Sequence, residues 1–270
     1  MREYTQNISN KKENKFKNNT VYIIGAGPGD PELLTIRAKN LLEHADVVLF
    51  ADSLVPLDIL QFCREDAEII PTARQTLEEI IEVMVDRVNS QKLVVRAHSG
   101  DPSLYSAIHE QMQLLAQANI DFEIVPGISA FQAAAAKLKA ELTVPGLVQT
   151  IILTRVSGRT EVPGTEELTS LAAHQASLCL YLSARHVEDA QVKLLKYYPA
   201  NTLVGVCYRL GWDDEKIKVV PLAEMANCTR EENLTRTTLY IVSPALGDVT
   251  ARSRLYDGEY NRLFRRTDIT

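Results

Sequence analysis

Three glycines in five residues, Gly25, Gly27 and Gly29, follow the apolar run 21–24, with Pro28 between the last two. Such a loop lets backbone approach a ligand closely. A dinucleotide fingerprint would need a third glycine where Asp30 stands, and Pro28 withdraws a backbone donor, so the loop suits a neutral or cationic ligand better than a phosphate. A second chemistry-bearing stretch is Arg96-Ala-His98-Ser99-Gly100-Asp101-Pro102-Ser-Leu104-Tyr105, in which Asp101 either caps a helix over 103–118, with Pro102 in its first turn, or accepts hydrogen bonds from a ligand. A third, Pro126-Gly-Ile-Ser129-Ala130, precedes an Ala-rich segment. Asp52 follows the apolar run 47–50 closely, where a carboxylate can take up a proton or cap a helix starting near Pro56. Cys63, Cys179, Cys207 and Cys228 are widely spaced and the five histidines are scattered, so no metal site and no disulfide framework are expected.

The elements between these stretches alternate. Apolar runs at 21–24, 47–50, 68–70, 92–97 and 122–125 read as strands, and 33–45, 56–62, 77–88 and 132–138 read as helices. That order predicts a mainly parallel sheet covered on both faces, with ligands outside the carboxyl ends of its strands, where all the stretches above fall. The pattern breaks at 142–146, taken as a domain boundary. Beyond it, strands at 150–154, 178–182, 202–208, 217–221 and 238–242, with helices at 166–172 and 185–195, predict a mixed sheet. Residues 1–19 are expected to be a disordered leader, 20–140 and 145–246 two α/β domains, and 247–270 a loosely held tail.

The chain has 270 residues and a net charge of −6, which disfavours nucleic-acid binding. With no run of eighteen apolar residues and no secretory pattern at the start, a soluble cytoplasmic protein without membrane partners is expected.

Taken together, Gly25-Ala-Gly-Pro-Gly-Asp-Pro31, His98-Ser-Gly-Asp-Pro-Ser-Leu-Tyr105 and Val125-Pro-Gly-Ile-Ser-Ala130 resemble the tetrapyrrole methylase family over about residues 20–246. Ala51-Asp-Ser-Leu-Val55, Glu141-Leu-Thr-Val-Pro145 and Gln149-Thr-Ile-Ile-Leu-Thr-Arg155 look like its branch acting at C11 of precorrin-4 or cobalt-precorrin-4 in cobalamin biosynthesis. The branch methylating uroporphyrinogen III at C2 and C7 usually carries Tyr-Asp-Arg-Leu at positions 51–54, which read Ala-Asp-Ser-Leu here. The resemblance implies S-adenosyl-L-methionine as cofactor, S-adenosyl-L-homocysteine as product, a homodimer, and a cofactor held in a cleft between domains. Carried over, cofactor contacts fall on Pro28, Ser99, Gly100, Asp101, Leu104, Tyr105, Ser129 and Ala130, and on Leu182, Leu210, Thr237 and Thr238 in the second domain. At Tyr181-Leu182-Ser183 many relatives have Tyr-Met-Gly.

A tetrapyrrole acceptor carries several carboxylates, for which Arg155, Arg74, Arg96, Arg159 and Arg185 are candidate anchors, Arg155 foremost, with His98 as either a brace or an acid–base group. Asp52 is the candidate catalytic carboxylate: a proton acceptor, a partner for the sulfonium, or a cap. Competing readings are methylation at another tetrapyrrole position, a relative acting on a modified histidine or ribosomal RNA, a non-catalytic tetrapyrrole-binding protein, and a nicotinamide oxidoreductase, which the missing pyrophosphate loop disfavours.

Overall fold

The computed structural model describes residues 16–158 and 160–247. They fall into two compact units: the chain up to Ala130 together with Leu210–Asp213, and Phe131–Arg209 together with the chain from Asp214 onward.

The first unit is a five-stranded sheet of β1 (Thr20–Gly25), β2 (Val47–Phe50), β3 (Glu68–Pro71), β4 (Val94–His98) and β5 (Asp121–Val125) in the order β3-β2-β4-β1-β5. Every neighbouring pair is parallel. Alternation of side chains across the pleat splits the strands between two apolar layers. Tyr22, Ile24, Val48, Phe50, Val95 and Ala97 pack with Ala38, Leu41 and Leu42 of helix α1 (Ile36–His44). Val21, Ile23, Val47, Leu49 and Val94 face Ile80, Ile81 and Met84 of α2 (Leu77–Asn89) and Leu115 of α3 (Ile108–Gln117). Thr35 caps α1, and Thr76 with Glu79 forms a reciprocal capping box on α2, so both helices start where their orphan N–H groups find acceptors.

The second unit begins with α4 (Ala130–Lys137) and contains β6 (Ile151–Arg155), β7 (Ser177–Tyr181), β8 (Leu203–Tyr208), β9 (Lys216–Pro221) and β10 (Thr238–Val242) in the order β6-β7-β10-β8-β9. Only β6 and β7 run parallel, so the sheet is mixed, as the run of short strands predicts. Its core joins Leu178, Leu180, Val204, Val206, Tyr240 and Val242 to Leu168 of α5 (Leu168–Ala172), Leu194 of α6 (Val187–Leu194) and Met225 of α7 (Met225–Glu231).

Several expectations are corrected. The helix expected over 103–118 starts only at Ile108, because Tyr105 and Ala107 take left-handed backbone angles, with φ of 55° and 50°. The helix read at 56–62 is present as a 3-10 helix, Leu57–Phe62. Helix α7 carried no sequence signal, being seven residues long. The compact units divide after Ala130, so the pattern break at 142–146 lies inside the second one. Most of the expected leader and tail lies outside the described residues; of the leader's end, Phe16 is buried with its ring edge-on to Tyr22. No helix among the described residues is long and apolar enough to cross a membrane.

Two glycines test the fold's local demands. A Cβ on Gly127 would stand 2.3 Å from the Gly100 carbonyl oxygen, whereas one on Gly164 would meet nothing within 4 Å. Urea unfolding is expected to show Gly127→Ala less stable by about 1–3 kcal/mol or more, the range for overpacking. Gly164→Ala should remain within about 0.5 kcal/mol of the parent, as an unstrained exposed site does.

Candidate active site

Parallel strands deliver their carboxyl ends to one rim. Gly25, Phe50, Pro71, His98 and Val125 are the last strand residues there, so the loops holding Pro28, Asp52, Arg74, Asp101 and Ser129 leave from a single edge of the first unit. Three of these loops touch through bare backbone. A Cβ on Gly25 would lie 2.6 Å from both the Gly100 carbonyl oxygen and the Gly127 Cα, and only glycine permits such an approach. Gly27 and Gly100 exchange a pair of backbone hydrogen bonds of 3.3 and 2.7 Å, and Ala26 N–H donates to the His98 carbonyl at 2.7 Å. The amides of Ala26 and Gly27 are therefore spent inside the rim, and Pro28 has none to offer. At Gly29 the neighbours are Leu210 and Trp212, whose carbonyl oxygen and Cδ1 a Cβ would approach to 2.3 and 2.5 Å.

Asp101 clamps two loops. One carboxylate oxygen accepts from Ser103 N–H at 2.8 Å and from the Ser103 hydroxyl, and the other accepts from Gly127 N–H at 2.9 Å. Burial pushes its pKa up, but these hydrogen bonds together outweigh that and leave it below the usual carboxylate range. It caps a turn, and not the helix that the sequence suggested. Asp52 likewise caps no helix: the turn starting near Pro56 has no side-chain cap, and Asp52 Oδ1 instead accepts from Ala73 N–H at 2.8 Å, bracing the loop that carries exposed Arg74. Its other oxygen has no hydrogen-bond partner among the described residues.

The remaining first-unit candidates divide sharply. Pro28, Gly100 and Ser129 are buried, Ser99, Leu104 and Ala130 half-buried, and Tyr105 exposed. Arg96 and His98, expected as acceptor anchors, are buried on the face of β4 that looks toward α3, because they alternate with Val95 and Ala97 of the opposite layer. Arg96 donates to the Thr72 hydroxyl at 2.9 Å and to Gln111 Oε1 at 3.4 Å, and burial lowers its pKa to about 10. His98 Nε2 has no hydrogen-bond partner among the described residues. Burial, then the Arg96 charge, push the His98 pKa down to about 3 against an opposing contribution from Gln111, so the imidazole is neutral at neutral pH.

In the second unit, Arg155 pairs with Tyr181 at the ends of parallel β6 and β7, and antiparallel β10 starts beside the end of β8, Thr238 opposite Tyr208. One end of this sheet thus collects Arg155, Leu182 and Thr237. Leu182, Arg209 and Thr237 all adopt left-handed backbone there, with φ of 52°, 47° and 48°. For a β-branched threonine this is a true outlier, of the kind that clusters at ligand sites. Leu182 is 65 % exposed, Thr238 buried and Leu210 buried against Gly29. Arg155 is half-buried with Nη2 3.4 Å from the Glu161 carbonyl, Arg185 is exposed on a 3-10 turn, and Arg159 lies outside the described residues. Sequence reasoning overlooked Thr72, Gln111 and Trp212; for the last, the sole tryptophan beside Gly211 after a strand was the available signal.

The tetrapyrrole (corrin/porphyrin) methylase family matches residues 20–226. A cobalt-precorrin-4 C(11)-methyltransferase of Methanocaldococcus jannaschii is 44 % identical over 93 % of this chain and 97 % of its own length. A precorrin-4 C(11)-methyltransferase of Pseudomonas aeruginosa is 40 % identical over 91 % of this chain and 98 % of its own. The solved structure of a cobalt precorrin-4 methyltransferase, a cobalamin biosynthetic enzyme, superposes with a TM-score of 0.83 at 43 % identity, covering 86 % of this chain and 97 % of that one.

The neutral His98 has a thermodynamic signature. Between its folded pKa of about 3 and the ordinary value of 6.5, the unfolded chain binds a proton that the folded chain does not, so stability rises with pH across that window. This contribution is complete above pH 6.5 and is lost as pH falls toward 3. His98→Gln should flatten the stability profile between about pH 6.5 and 4.5 by up to one proton, or roughly 1.4 kcal/mol per pH unit. Urea titrations at several pH values measure this; an unchanged slope would mean that native His98 takes up the proton.

Proposed function

The chain belongs to the tetrapyrrole (corrin/porphyrin) methylase family, and from that footing we propose that it transfers a methyl group from S-adenosyl-L-methionine to C11 of precorrin-4 or cobalt-precorrin-4 in cobalamin biosynthesis. The observation that carries the reading is near-full-length similarity to proteins named for that reaction, at 40–44 % identity.

The chemistry of the first unit's rim fits this cofactor. S-adenosyl-L-methionine supplies, when bound, an electrophilic methyl group on a sulfonium cation and brings no phosphate. In the glycine loop the amides of Ala26 and Gly27 are spent and Pro28 has none, and among the charged residues of segments 25–30, 51–55, 72–75, 99–107 and 126–130 are three carboxylates, Asp30, Asp52 and Asp101, against the single guanidinium of Arg74. Exposed Tyr105 offers apolar surface for an adenine or a ring face. Asp101 holds the loops after β4 and β5 together through Ser103 and Gly127, which supports Gly100 and Ser129 as proposed cofactor contacts. Arg155 and Arg74, with Arg185, are the proposed anchors for acceptor carboxylates, since a guanidinium binds a carboxylate with two parallel hydrogen bonds. Buried Arg96 and neutral His98 leave that list. Methyl transfer needs no covalent enzyme intermediate, and holding the acceptor carbon in line can supply about 7–11 kcal/mol of the barrier. The unpartnered oxygen of Asp52 is the proposed proton acceptor as the ring carbon is methylated. The resemblance further supports a cytoplasmic homodimer, which light scattering and fractionation would test.

Separate incubations of carbon-13 methyl-labelled S-adenosyl-L-methionine with precorrin-4, with and without cobalt, and with uroporphyrinogen III should place the label at C11 of precorrin-4. Label on uroporphyrinogen III alone, at C2 and C7, or on no tetrapyrrole, overturns the proposal. Asp52→Asn keeps an oxygen for Ala73 N–H, so stability should be unchanged while single-turnover transfer slows roughly 10²–10⁴-fold, the cost of losing a general base. A rate within about threefold of the parent would remove Asp52 from the chemistry, since base loss costs far more.

A further inference from the structure

Arg96 is 4 % exposed and has no carboxylate partner among the described residues. A buried, unpaired guanidinium is costly, and an aliphatic side chain would fill the same face of β4 at lower cost. Its hydrogen bonds run outward to the rim. Nη1 donates to the Thr72 hydroxyl, which donates onward to the Phe50 carbonyl at 3.0 Å, where Thr72 N–H also lands at 3.0 Å. Phe50 is the last residue of β2, just before Ala51 and Asp52, and Thr72 opens the loop of Ala73 and Arg74. Nε donates to Gln111 Oε1, and Gln111 Nε2 donates to the Ala107 carbonyl at 3.4 Å, at the left-handed residue that closes the loop 99–107.

We propose that Arg96 is a positioning residue for methyl transfer, fixing from beneath the rim the three loops that follow β2, β3 and β4. The donors and acceptors are consistent along both relays: each hydroxyl and amide hydrogen is used once, and each ends on a backbone carbonyl at a loop boundary. The guanidinium stays charged at neutral pH, with a pKa of about 10, and its charge adds to the burial that keeps His98 neutral two residues along. Asp52 completes the frame on the solvent side through Ala73 N–H, so the β2 and β3 loops are tied both above and below.

The functional part of this inference rests on the methyl-transfer reading, and the test separates the two. Arg96→Met, Arg96→Lys and Thr72→Val are compared with the parent by thermal unfolding, by hydrogen exchange, and by kcat and KM for the acceptor at saturating cofactor. Arg96→Met should melt no lower than the parent, yet the amides of Leu54, Ala73, Gln75 and Leu104 should exchange at least tenfold faster while those of β1 and β4 keep their protection. In the same variant kcat should fall at least tenfold with KM within threefold. Arg96→Lys retains charge but not the fork and should not restore kcat. Thr72→Val, which removes one relay with little change in shape, should speed exchange at Ala73 and Gln75 and spare Leu104. Exchange and kcat near parental in Arg96→Met overturn the proposal; if that variant does not fold, the same criterion applies to Thr72→Val. A parent that transfers no methyl group refutes the functional reading, and loop exchange then decides the positioning claim alone.

Discussion

Gly25, Gly100 and Gly127 bring the loops after three adjacent strands into backbone contact, closer than any side chain would allow. Those strands, β4, β1 and β5, are neighbours in the sheet, so their carboxyl ends already lie side by side. What the glycines add is the removal of the last layer of side chains between them. The loops then bond to one another, through Gly27 with Gly100 and through Asp101 with Gly127, and this part of the rim becomes one surface instead of three separate turns.

That closeness determines which ligand suits the site. A glycine loop of the phosphate-binding type keeps its amides free and aims them outward; here those of Ala26 and Gly27 bond inside the rim, and the neighbouring charges are mostly carboxylates. The proposed cofactor, with a sulfonium and no phosphate, suits such a surface better than a dinucleotide would. Beneath the rim, the Arg96 relays hold the loops on the β2 and β3 side, where glycines are absent, so side-chain hydrogen bonds do there what backbone contact does elsewhere.

Much of this was legible in the amino-acid order. Short apolar runs marked the strands, and their alternation with helical periods implied the parallel sheet. The loops of the rim stood out because glycine, proline and aspartate cluster at strand ends. Burial of polar groups was not legible: Arg96, His98, Thr72 and Gln111 have types that usually face water, yet the pleat of β4, alternating Arg96 and His98 with Val95 and Ala97, sends the first two inward, and Thr72 of the β3 loop and Gln111 of α3 meet Arg96 there. Nor did any residue type announce the left-handed backbone at Leu182, Arg209 and Thr237, since glycine is its ordinary signal. Asp101 and Asp52 were singled out correctly as rim carboxylates, yet their partners, Gly127 and Ala73, come from loops distant in sequence and invisible to local pattern.

We propose that the rim accepts a phosphate-free cationic cofactor, because the glycine loop's Ala26 and Gly27 amides are already used and Pro28 has none. Isothermal titration of the full chain with S-adenosyl-L-methionine and, separately, with oxidised nicotinamide adenine dinucleotide tests this most directly. The account predicts saturable binding of one S-adenosyl-L-methionine per chain and no measurable heat from the dinucleotide. Saturable dinucleotide binding, or no binding of S-adenosyl-L-methionine by the folded protein, would contradict it.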